Sequence, residues 1–384
     1  RRITQNRPAS ILQGNGGLLI SAETLGNLYS VRQLGSDIQA GGNLNITAGN
    51  DLTVVASRVS AGGDALLSAG RDLTLSAAAN VAHSEYHYKS SKKKVNAEDL
   101  RTEQQATELT AGGNVALLAG RDLTVAASKV EAGESAYLYA GRDLSLLAGE
   151  ELTRHFYEKQ KKGSLGKKSM RLDDVTTVTV AGSEIKAGND IVLASLGDQR
   201  YQAAKLSSGN DITLDAGGDI TFEAMKALMQ EAHHKSKSSW AWQSAKGKGH
   251  TDETVVQSQL MAAGELAIRA AGSIQIDIKE INGQSVSQAI DAMVAAEPQL
   301  AWLKEMEQRG DVDWRQVKEV HDSFKYSQSG LGGVAAAVIA IVVAYFTAGA
   351  ASGVIGAGAS SGSAMAAGAV PGSLAGAGWA NVAL

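Results

Sequence analysis

The sequence contains no cysteine, only 3 prolines and only 4 phenylalanines among its 384 residues. The absence of cysteine excludes a disulfide framework and a thiolate metal site. The scarcity of proline argues against a proline-rich linker. A net charge of −4 argues against an overall basic field that would attract nucleic acid. The chain is rich instead in glycine, with 43 residues, which together with Ala, Leu, Val, Ser, Asp and Asn suits short strands joined by tight turns.

One phrase recurs along most of the chain. TAGNDLTV, which contains Asp51, returns 21 positions later as SAGRDLTL, which contains Asp72. The same interval of 21 residues separates Asp122 from Asp143. Each unit holds three short stretches in which apolar and polar residues alternate, and a turn closes each stretch. An alternation with period two predicts strands rather than helices.

Three strands and three turns per unit predict one coil of a right-handed parallel β-helix, with coils stacked about 4.8 Å apart over an apolar core. Glycine is expected at the corners for its positive φ, and Asp or Asn for hydrogen bonds to its own backbone. The predicted turn residues are Gly49, Asp51, Gly70, Asp72, Gly120, Asp122, Asp143, Gly188, Asp190, Gly209 and Asp211. The residues predicted to stack inward are Leu52, Leu73, Leu123, Leu144, Ile191 and Ile212. Calcium binding by the aspartates is rejected, because the G-G-x-G-x-D phrase of calcium-binding nonapeptide repeats does not occur.

Three insertions interrupt the repeat, at about 79–108, 150–181 and 223–258. Two coils precede each insertion, so all three should leave the solenoid at the same corner. Each has an aromatic arm, a basic tip and an acidic return arm, followed in two of the three by a Thr- and Val-rich stretch, and this pattern predicts an extruded β-hairpin. A hairpin is two strands wide, about 9.6 Å, which equals the rise of two coils. The hairpins are therefore expected to join into a second sheet along the solenoid.

The lysines of the insertion tips are candidate contact residues: Lys92, Lys93, Lys94, Lys161, Lys162, Lys167, Lys168, Lys235, Lys237, Lys246 and Lys248. Two interpretations stay open. The tips are solvated turns that prevent edge-to-edge aggregation, or they contact an anionic surface such as lipopolysaccharide. Nucleic acid is not an expected partner, because the lysines lie at separate tips among carboxylates. A metal site at His233, His234 and His250 is disfavoured, because adjacent strand residues point to opposite faces. No cofactor is expected.

Residues 282–330 have a helical pattern after the solenoid, which is assigned to 40–281 with a partly solenoidal lead-in at 1–39. Pro298 is expected in the first turn of one helix, which would end at Gly310. The apolar face of this helix would carry Leu300, Leu303 and Met306. A second helix, capped by Asp311 or Asp313, would carry Val317, Val320 and Phe324. The two would form a small helical hairpin.

The remaining residues, 331–384, form a Gly-, Ala- and Ser-rich segment without charge. It begins with LGGVAAAVIAIVVAYFTAGA, whose 20 residues could span a bilayer. A buried helix pair and a segment that enters a membrane during translocation are both open interpretations. A permanent anchor is less favoured, because the flanks lack a basic stop. The candidate membrane residues are Val334, Val338, Ile339, Ile341, Val342, Val343 and Phe346.

The repeats with lysine-tipped insertions resemble the haemagglutinin repeats of filamentous-haemagglutinin-type exoproteins. AWLKEMEQRGDVDW at 301–314, YSQSGL at 326–331 and the apolar run are similar to the pre-toxin region of contact-dependent growth inhibition exoproteins. The resemblance covers the chain from about residue 15 onward. It implies a two-partner-secreted protein of a Gram-negative bacterium that carries a toxin into neighbouring bacteria.

The resemblance implies three partners: an outer-membrane two-partner transporter during export, the target cell's outer membrane or surface receptor, and a toxin domain further along the same chain. It also implies a secreted or cell-surface location, with the tail delivered into the target envelope. The Val-Glu-Asn-Asn boundary that often precedes the toxin is absent from this sequence, so no toxin activity is assigned.

We therefore interpret the chain as a non-catalytic structural and translocation module cut from a longer exoprotein. An adhesin is the alternative, and it would need no charge-free tail. A polysaccharide lyase is disfavoured, because the coil carboxylates fall at turn positions instead of converging on one face of several coils.

Overall fold

The computed structural model describes residues 2–8, 24–239, 242–281 and 283–330. The predicted membrane segment from Val334 to Phe346 and the rest of the apolar tail lie outside the described residues. No helix in the described ranges is long and apolar enough to cross a membrane.

Three parallel sheets enclose one apolar core, and their strands are numbered here in chain order. The first sheet contains β3 (Asp37–Ala40), β6 (Arg58–Ala61), β11 (Glu108–Ala111), β14 (Lys129–Ala132), β19 (Glu184–Ala187), β22 (Lys205–Ser208) and β27 (Gln259–Ala262). The second contains β4 (Leu44–Ala48), β7 (Ala65–Ala69), β12 (Val115–Ala119), β15 (Ala136–Ala140), β20 (Ile191–Ser195), β23 (Ile212–Ala216) and β28 (Leu266–Ala270). The third contains β5 (Leu52–Val55), β8 (Leu73–Ser76), β13 (Leu123–Ala126), β16 (Leu144–Leu147), β21 (Gln199–Gln202), β24 (Ile220–Glu223), β29 (Ile274–Lys279) and β30 (Val312–Val317).

Successive strands belong to successive sheets, so each coil adds one strand to each of the three sheets. This arrangement agrees with the predicted parallel β-helix, whose right-handed winding stays a prediction. Leu73, Leu123 and Leu144 stack in register in the third sheet and are fully buried. Because a strand alternates its side chains between two faces, each coil needs only two or three inward apolar residues per strand. The core therefore continues from coil to coil without a break.

The inward residues form more than one column, which corrects the sequence-based alignment. Ile191 and Ile212 face the core, but they lie in the second sheet, in register with Ala136. The coil position that follows Leu144 is occupied by Gln199. The phrases around Asp190 and Asp122 look alike because both close a turn, yet they close different turns of the coil.

The structure gives a different reason for glycine at the turns from the one predicted. Among the described glycines only Gly166, Gly283 and Gly310 have positive φ, so the predicted turn glycines do not need a left-handed backbone. The left-handed residues at the coil corners are alanines, since Ala56, Ala127 and Ala203 have φ of 49°, 46° and 45°. A Cβ added to Gly120 would instead lie 2.2 Å from the carbonyl oxygen of Gly70 in the coil below. Glycine is required because the corners stack too closely for a side chain.

The first residues of the first-sheet strands form a charge column along the outside of the solenoid. Its members are in register across consecutive coils: Asp37, Arg58, Glu108, Lys129, Glu184 and Lys205. The sign alternates at every step, and an Arg58 nitrogen lies 2.9 Å from a Glu108 oxygen. Alternation replaces the repulsion of stacked like charges with attraction between neighbours.

The insertions form a separate antiparallel sheet, here called the hairpin sheet. Its strands, in spatial order, are β1 (Arg2–Pro8), β2 (Thr24–Gln33), β9 (Ala78–Lys89), β10 (Lys93–Gln105), β17 (Gly149–Lys162), β18 (Lys168–Ala181), β25 (Met225–Ser238), β26 (Gln243–Val256) and β31 (His321–Gly330). The three hairpins β9–β10, β17–β18 and β25–β26 pair directly with one another. Each leaves the solenoid after the third strand of every second coil, which aligns their tips along one edge.

Two short helices cover the end of the core. α1 (Val286–Ala296) begins with a capping box between Ser285 and Gln288. A 3₁₀ turn (Pro298–Leu300) then leads into α2 (Trp302–Glu307). As expected, the apolar residues Leu300, Leu303 and Met306 are buried. The Trp302 ring centroid lies 4.8 Å from that of Phe222, so the helices replace the coil that would otherwise cover the core.

The predicted second helix at 311–325 is wrong. Val312–Val317 forms β30, which extends the third sheet in parallel with β29. His321–Gly330 forms β31, the edge strand of the hairpin sheet. Val317, Val320 and Phe324 matched a helical spacing, but the alternation of Val312 with Trp314, both partly buried against the core, has the period of a strand.

Candidate functional site

The turn carboxylates accept hydrogen bonds from groups of the neighbouring coil. The Asp72 N–H donates to Asp51 Oδ1 at 3.3 Å, and the Asp122 N–H donates to Asp72 Oδ1 at 3.4 Å. The predicted bonds to their own backbone are thus replaced by bonds between coils. Arg71 Nε also donates to Asp51 Oδ1 at 2.7 Å. This hydrogen bond is the main cause that lowers the pKa of Asp51 to about 2. These aspartates hold the stack together, which supports turn chemistry as their role.

The outer part of the hairpin sheet, toward the tips, carries different charges on its two faces. Residues directly opposite each other on antiparallel strands project on the same face. One such row runs through Lys159, Arg171, Lys235 and Lys246 on the four neighbouring strands β17, β18, β25 and β26. Four cations therefore lie side by side, about 4.8 Å apart at the backbone.

The rows on either side add further cations to the same face. Lys161 and Lys237 lie toward the tips, two residues along their strands, and Lys248 pairs with Lys325 in the row toward the solenoid. We call this surface the basic face. Its cations are Lys93, Lys159, Lys161, Arg171, Lys235, Lys237, Lys246, Lys248 and Lys325.

Asp173 is the one carboxylate in these three rows between β9 and β31, and it is buried. His233 Nδ1 lies 2.8 Å and Arg171 Nε 2.5 Å from its oxygens. Burial raises the pKa of Asp173, but the hydrogen bonds from His233 and Arg171 outweigh it and lower the pKa overall. The Arg171 guanidinium also lies 5.7 Å from the Tyr157 ring centroid. Asp173 therefore bonds to Arg171 and His233 and leaves the lysines of this face without an ionic partner.

The opposite face, here called the covered face, is packed by aromatic rings of β31. A Cβ at Gly247 would lie 2.6 Å from the Tyr326 ring, and a Cβ at Gly249 would lie 2.5 Å from the Phe324 ring. The two glycines thus make room for the rings. The Tyr326 hydroxyl hydrogen-bonds to Nδ1 of the buried His234. Burial lowers the pKa of His234 and raises that of Tyr326 to about 12.

In the outer part of the hairpin sheet, from the tips to the row of Asp174, most carboxylates lie on the covered face. Glu85, Glu98, Glu158 and Asp174 lie there in two adjacent rows without lysine, and Lys89 and Lys94 lie in the next row toward the tips. Nearer the solenoid, Asp99 and Glu231 lie on the same side as the basic face. Burial raises the pKa of Asp174, and this outweighs the opposing effect of Arg154. In this outer part, cations outnumber carboxylates on the basic face but not on the covered face.

The predicted contact lysines are divided between the faces. Those on the basic face are Lys93, Lys161, Lys235, Lys237, Lys246 and Lys248. Lys94, Lys162 and Lys168 project on the covered face, and Lys92 and Lys167 lie in the turns. Sequence reasoning missed Lys159, Arg171 and Lys325. Lysines two residues apart, as at Lys235 and Lys237, were the available signal, because this spacing places them on one face of a strand.

The histidines lie in separate environments. His233 and His234 project on opposite faces, where they contact Asp173 and Tyr326. His250 Nδ1 lies 3.0 Å from a Glu231 oxygen. In the described ranges, the ligand atoms of His83, Glu85 and Glu98 lie within 4.8 Å of one another. These three groups are partly buried and could hold a divalent cation, although the contact of His83 Nε2 with Glu98 at 3.3 Å also fits an ion pair.

A parallel solenoid that projects one hairpin for every two coils defines a repeat scaffold that carries a separate surface sheet. The family model of the hemagglutinin repeat matches residues 29–99, 86–175 and 164–290, so the chain belongs to the hemagglutinin repeat family. Each matched segment contains strands of at least one hairpin. The match supports a filamentous-haemagglutinin-type protein, and this family is typically secreted or found at the cell surface. The chain matches no curated protein and no solved structure.

Proposed function

We propose that the chain is a non-catalytic structural and translocation module of a secreted, contact-dependent toxin-delivery exoprotein. The observation that carries this proposal is the order of its segments. Hemagglutinin repeats extend to residue 290, two helices cover the end of the solenoid, and a stretch without charge occupies 331–384. An adhesin requires the repeats but not the apolar stretch, whereas a protein that crosses an envelope can use both.

The use of the turn carboxylates supports a role without catalysis. Asp72 binds the Asp122 N–H and Arg121, while Asp122 binds the Asp143 N–H and Arg142. A catalytic carboxylate needs free oxygens directed at a substrate, and these are engaged in holding coils together. The partners in this proposal are an outer-membrane transporter during export, the envelope of a target cell, and a toxin domain in the same exoprotein.

A second candidate is an adhesin that works without delivering a toxin. The observation that favours it is the exposed basic face, a large surface that binding alone would explain. The two candidates make different predictions for the charge-free stretch, because an adhesin would not need that stretch to remain apolar.

The test replaces Val338 by Arg in the complete exoprotein. Placing a charge in lipid costs about 2.5–3.5 kcal/mol on insertion scales, which corresponds to about 100-fold in an equilibrium. We expect Val338→Arg to reduce killing of target cells at least about 10-fold, with secretion and attachment to target cells unchanged. Killing is measured by competition between a strain that produces the exoprotein and a susceptible strain.

Val338→Leu is the matched control, because it keeps the apolar character and should kill like the unaltered protein. Full killing by Val338→Arg, with normal secretion, would show that the stretch need not enter lipid. An unaltered exoprotein that attaches to cells but never inhibits them would favour the adhesin.

A further inference from the structure

We infer that the basic face of the hairpin sheet docks flat onto a phosphate-bearing membrane surface. The inference rests on the proposed function, in which the module must reach the envelope of a target cell, and it names the surface and the chemistry that make this contact. Four observations support it: the two-dimensional array of cations, their lack of internal partners, the contrast with the covered face, and the exposed apolar side chains at the tips.

The cations form a lattice rather than a line. Lys159, Arg171, Lys235 and Lys246 follow one another across four strands, about 4.8 Å apart. Further cations lie two residues along the strands, about 6.8 Å away, as Lys237 does from Lys235. A linear polyanion could follow one row at a time. A planar array of phosphates could neutralise all three rows together, so the lattice fits a membrane surface better than a single polymer strand.

Most of these cations have no ionic partner within the protein. Among the described residues, Arg171 is the cation of this face that forms a salt bridge, with Asp173. Lys235, Lys237, Lys246, Lys248 and Lys325 are all exposed. Packing like charges side by side raises the energy of the free protein. Binding an anionic surface would relieve that repulsion, so the arrangement favours an anionic partner over water.

The covered face shows that this arrangement is not a general feature of the hairpins. The same strands place Glu158 and Asp174 on the covered face, where β31 packs its aromatic rings. Strands that needed lysine only for solubility would carry it equally on both faces. In the outer rows the covered face balances its four lysines with four carboxylates, whereas the nine cations of the basic face meet only Asp173. This difference leaves the basic face available for an anionic partner.

The edge formed by the tips favours a lipid surface over a soluble polyanion. Leu165, at the tip of the β17–β18 hairpin, is 82% exposed, and Trp242, at the tip of the β25–β26 hairpin, is 52% exposed. Both lie beside the outermost row of the basic face, which contains Lys161 and Lys237. Tryptophan is enriched at membrane–water interfaces, where its ring meets the lipid and its N–H meets water. Cations beside exposed apolar groups match the chemistry of such an interface.

The test measures binding of the full chain to vesicles of phosphatidylglycerol with phosphatidylcholine, and to vesicles of phosphatidylcholine alone. The test variant is Lys235→Gln, Lys237→Gln, Lys246→Gln and Lys248→Gln combined. Each basic residue near an anionic surface contributes about a fivefold gain in binding, so this variant should bind the anionic vesicles at least about 100-fold more weakly. The unaltered chain should bind phosphatidylcholine alone far more weakly than the mixed vesicles.

A matched control removes the same charge elsewhere on the same sheet, by Lys89→Gln, Lys94→Gln, Lys162→Gln and Lys168→Gln combined. These lysines are exposed but project on the covered face. The control should lose less than about fivefold. An equal loss in both variants would show that only net charge matters and would overturn the docking face. The circular dichroism spectra of both variants should match that of the unaltered chain.

Soluble polyphosphate separates a membrane partner from a linear polyanion. Tight binding of polyphosphate, together with no binding of anionic vesicles, would overturn the membrane assignment. Failure of the proposed function has a different signature. An exoprotein without toxin delivery could still show vesicle binding that depends on the basic face, while a protein with normal delivery but no such binding would refute this inference alone.

Discussion

The solenoid and the hairpin sheet are built from the same element, a β-strand with neighbours about 4.8 Å away, yet they restrict their residues differently. In the solenoid, Leu123 is enclosed by Leu73 on one side, Leu144 on the other and the remaining sheets across the core. In the hairpin sheet, Lys235 has neighbours only within one layer. Stacking dictates the side chains of the coils. The hairpins keep one face exposed to solvent, where packing restricts the side chains less. Substitutions in the two regions should therefore have different effects.

The largest effect is expected in the core. Leu123→Asp would bury a carboxylate without a partner between Leu73 and Leu144, which should destabilise the solenoid by about 4 kcal/mol or more. Thr124→Asp, on the outward side of the same strand, should cost less than about 1 kcal/mol. Thermal unfolding followed by circular dichroism measures both. Similar melting temperatures for the two variants would show that the assigned inward register is wrong.

An intermediate effect is expected at the corners, and there the solenoid provides its own control. A Cβ at Gly120 meets the Gly70 carbonyl oxygen at 2.2 Å, whereas a Cβ at Gly49 in the first coil meets nothing within 4 Å. Gly120→Ala should therefore lower the free energy of unfolding by about 1–3 kcal/mol, and Gly49→Ala should leave it within about 0.5 kcal/mol. Chemical denaturation distinguishes them. Equal losses would mean that glycine is needed for its backbone conformation and not for close stacking.

The smallest effect is expected in the hairpin sheet and depends on pH. Burial lowers the pKa of His234 below its ordinary value of 6.5, so the unfolded chain binds its proton more readily than the folded one. The stabilisation is thus present above pH 6.5 and is lost as the pH falls below it. When the pH falls below 6.5, hydrogen exchange should show that strand β31 loses about three- to tenfold of its protection against exchange.

His234→Gln cannot titrate and should lose the pH response while keeping a similar fold. His321 on the same strand has its pKa raised by Asp252 and Glu319, so it acts in the opposite direction. Because it is present in both proteins, its contribution cancels in their comparison. A pH response that persists unchanged in His234→Gln would assign it to another group.

The coil architecture could be predicted because its rules are local. A 21-residue spacing with period-two alternation leaves few alternatives, and the two-strand width of a hairpin predicted a second sheet. The assignment of Asp190 to the same turn as Asp122 was wrong because similar phrases close two different turns. Which turn of the coil a phrase closes depends on the strands with which it stacks. Sequence similarity alone does not reveal those strands.

The division of the lysines between two faces could not be predicted. A hairpin's register depends on its turn, and the three turns differ in length, with strands that end at Lys89, Lys162 and Ser238 and resume at Lys93, Lys168 and Gln243. A shift of one residue would move every side chain to the other face. The strand at β31 was missed for a related reason. Phe324 and Tyr326 become meaningful only when Gly247 and Gly249 are known to lie opposite them.

The alternating charge column limits how this protein can change in length. Deletion of one coil would place like charges side by side, either Asp37 beside Glu108 or Arg58 beside Lys129. Deletion of two consecutive coils would place Asp37 beside Lys129, so that opposite charges stay together. Gene duplication or deletion should therefore be tolerated in whole two-coil modules, which measure 71, 76 and 75 residues between Asn43, Asn114, Asp190 and Glu265. Such events also preserve one hairpin per two coils. The charge column thus favours the gain or loss of an even number of coils and opposes the gain or loss of an odd number.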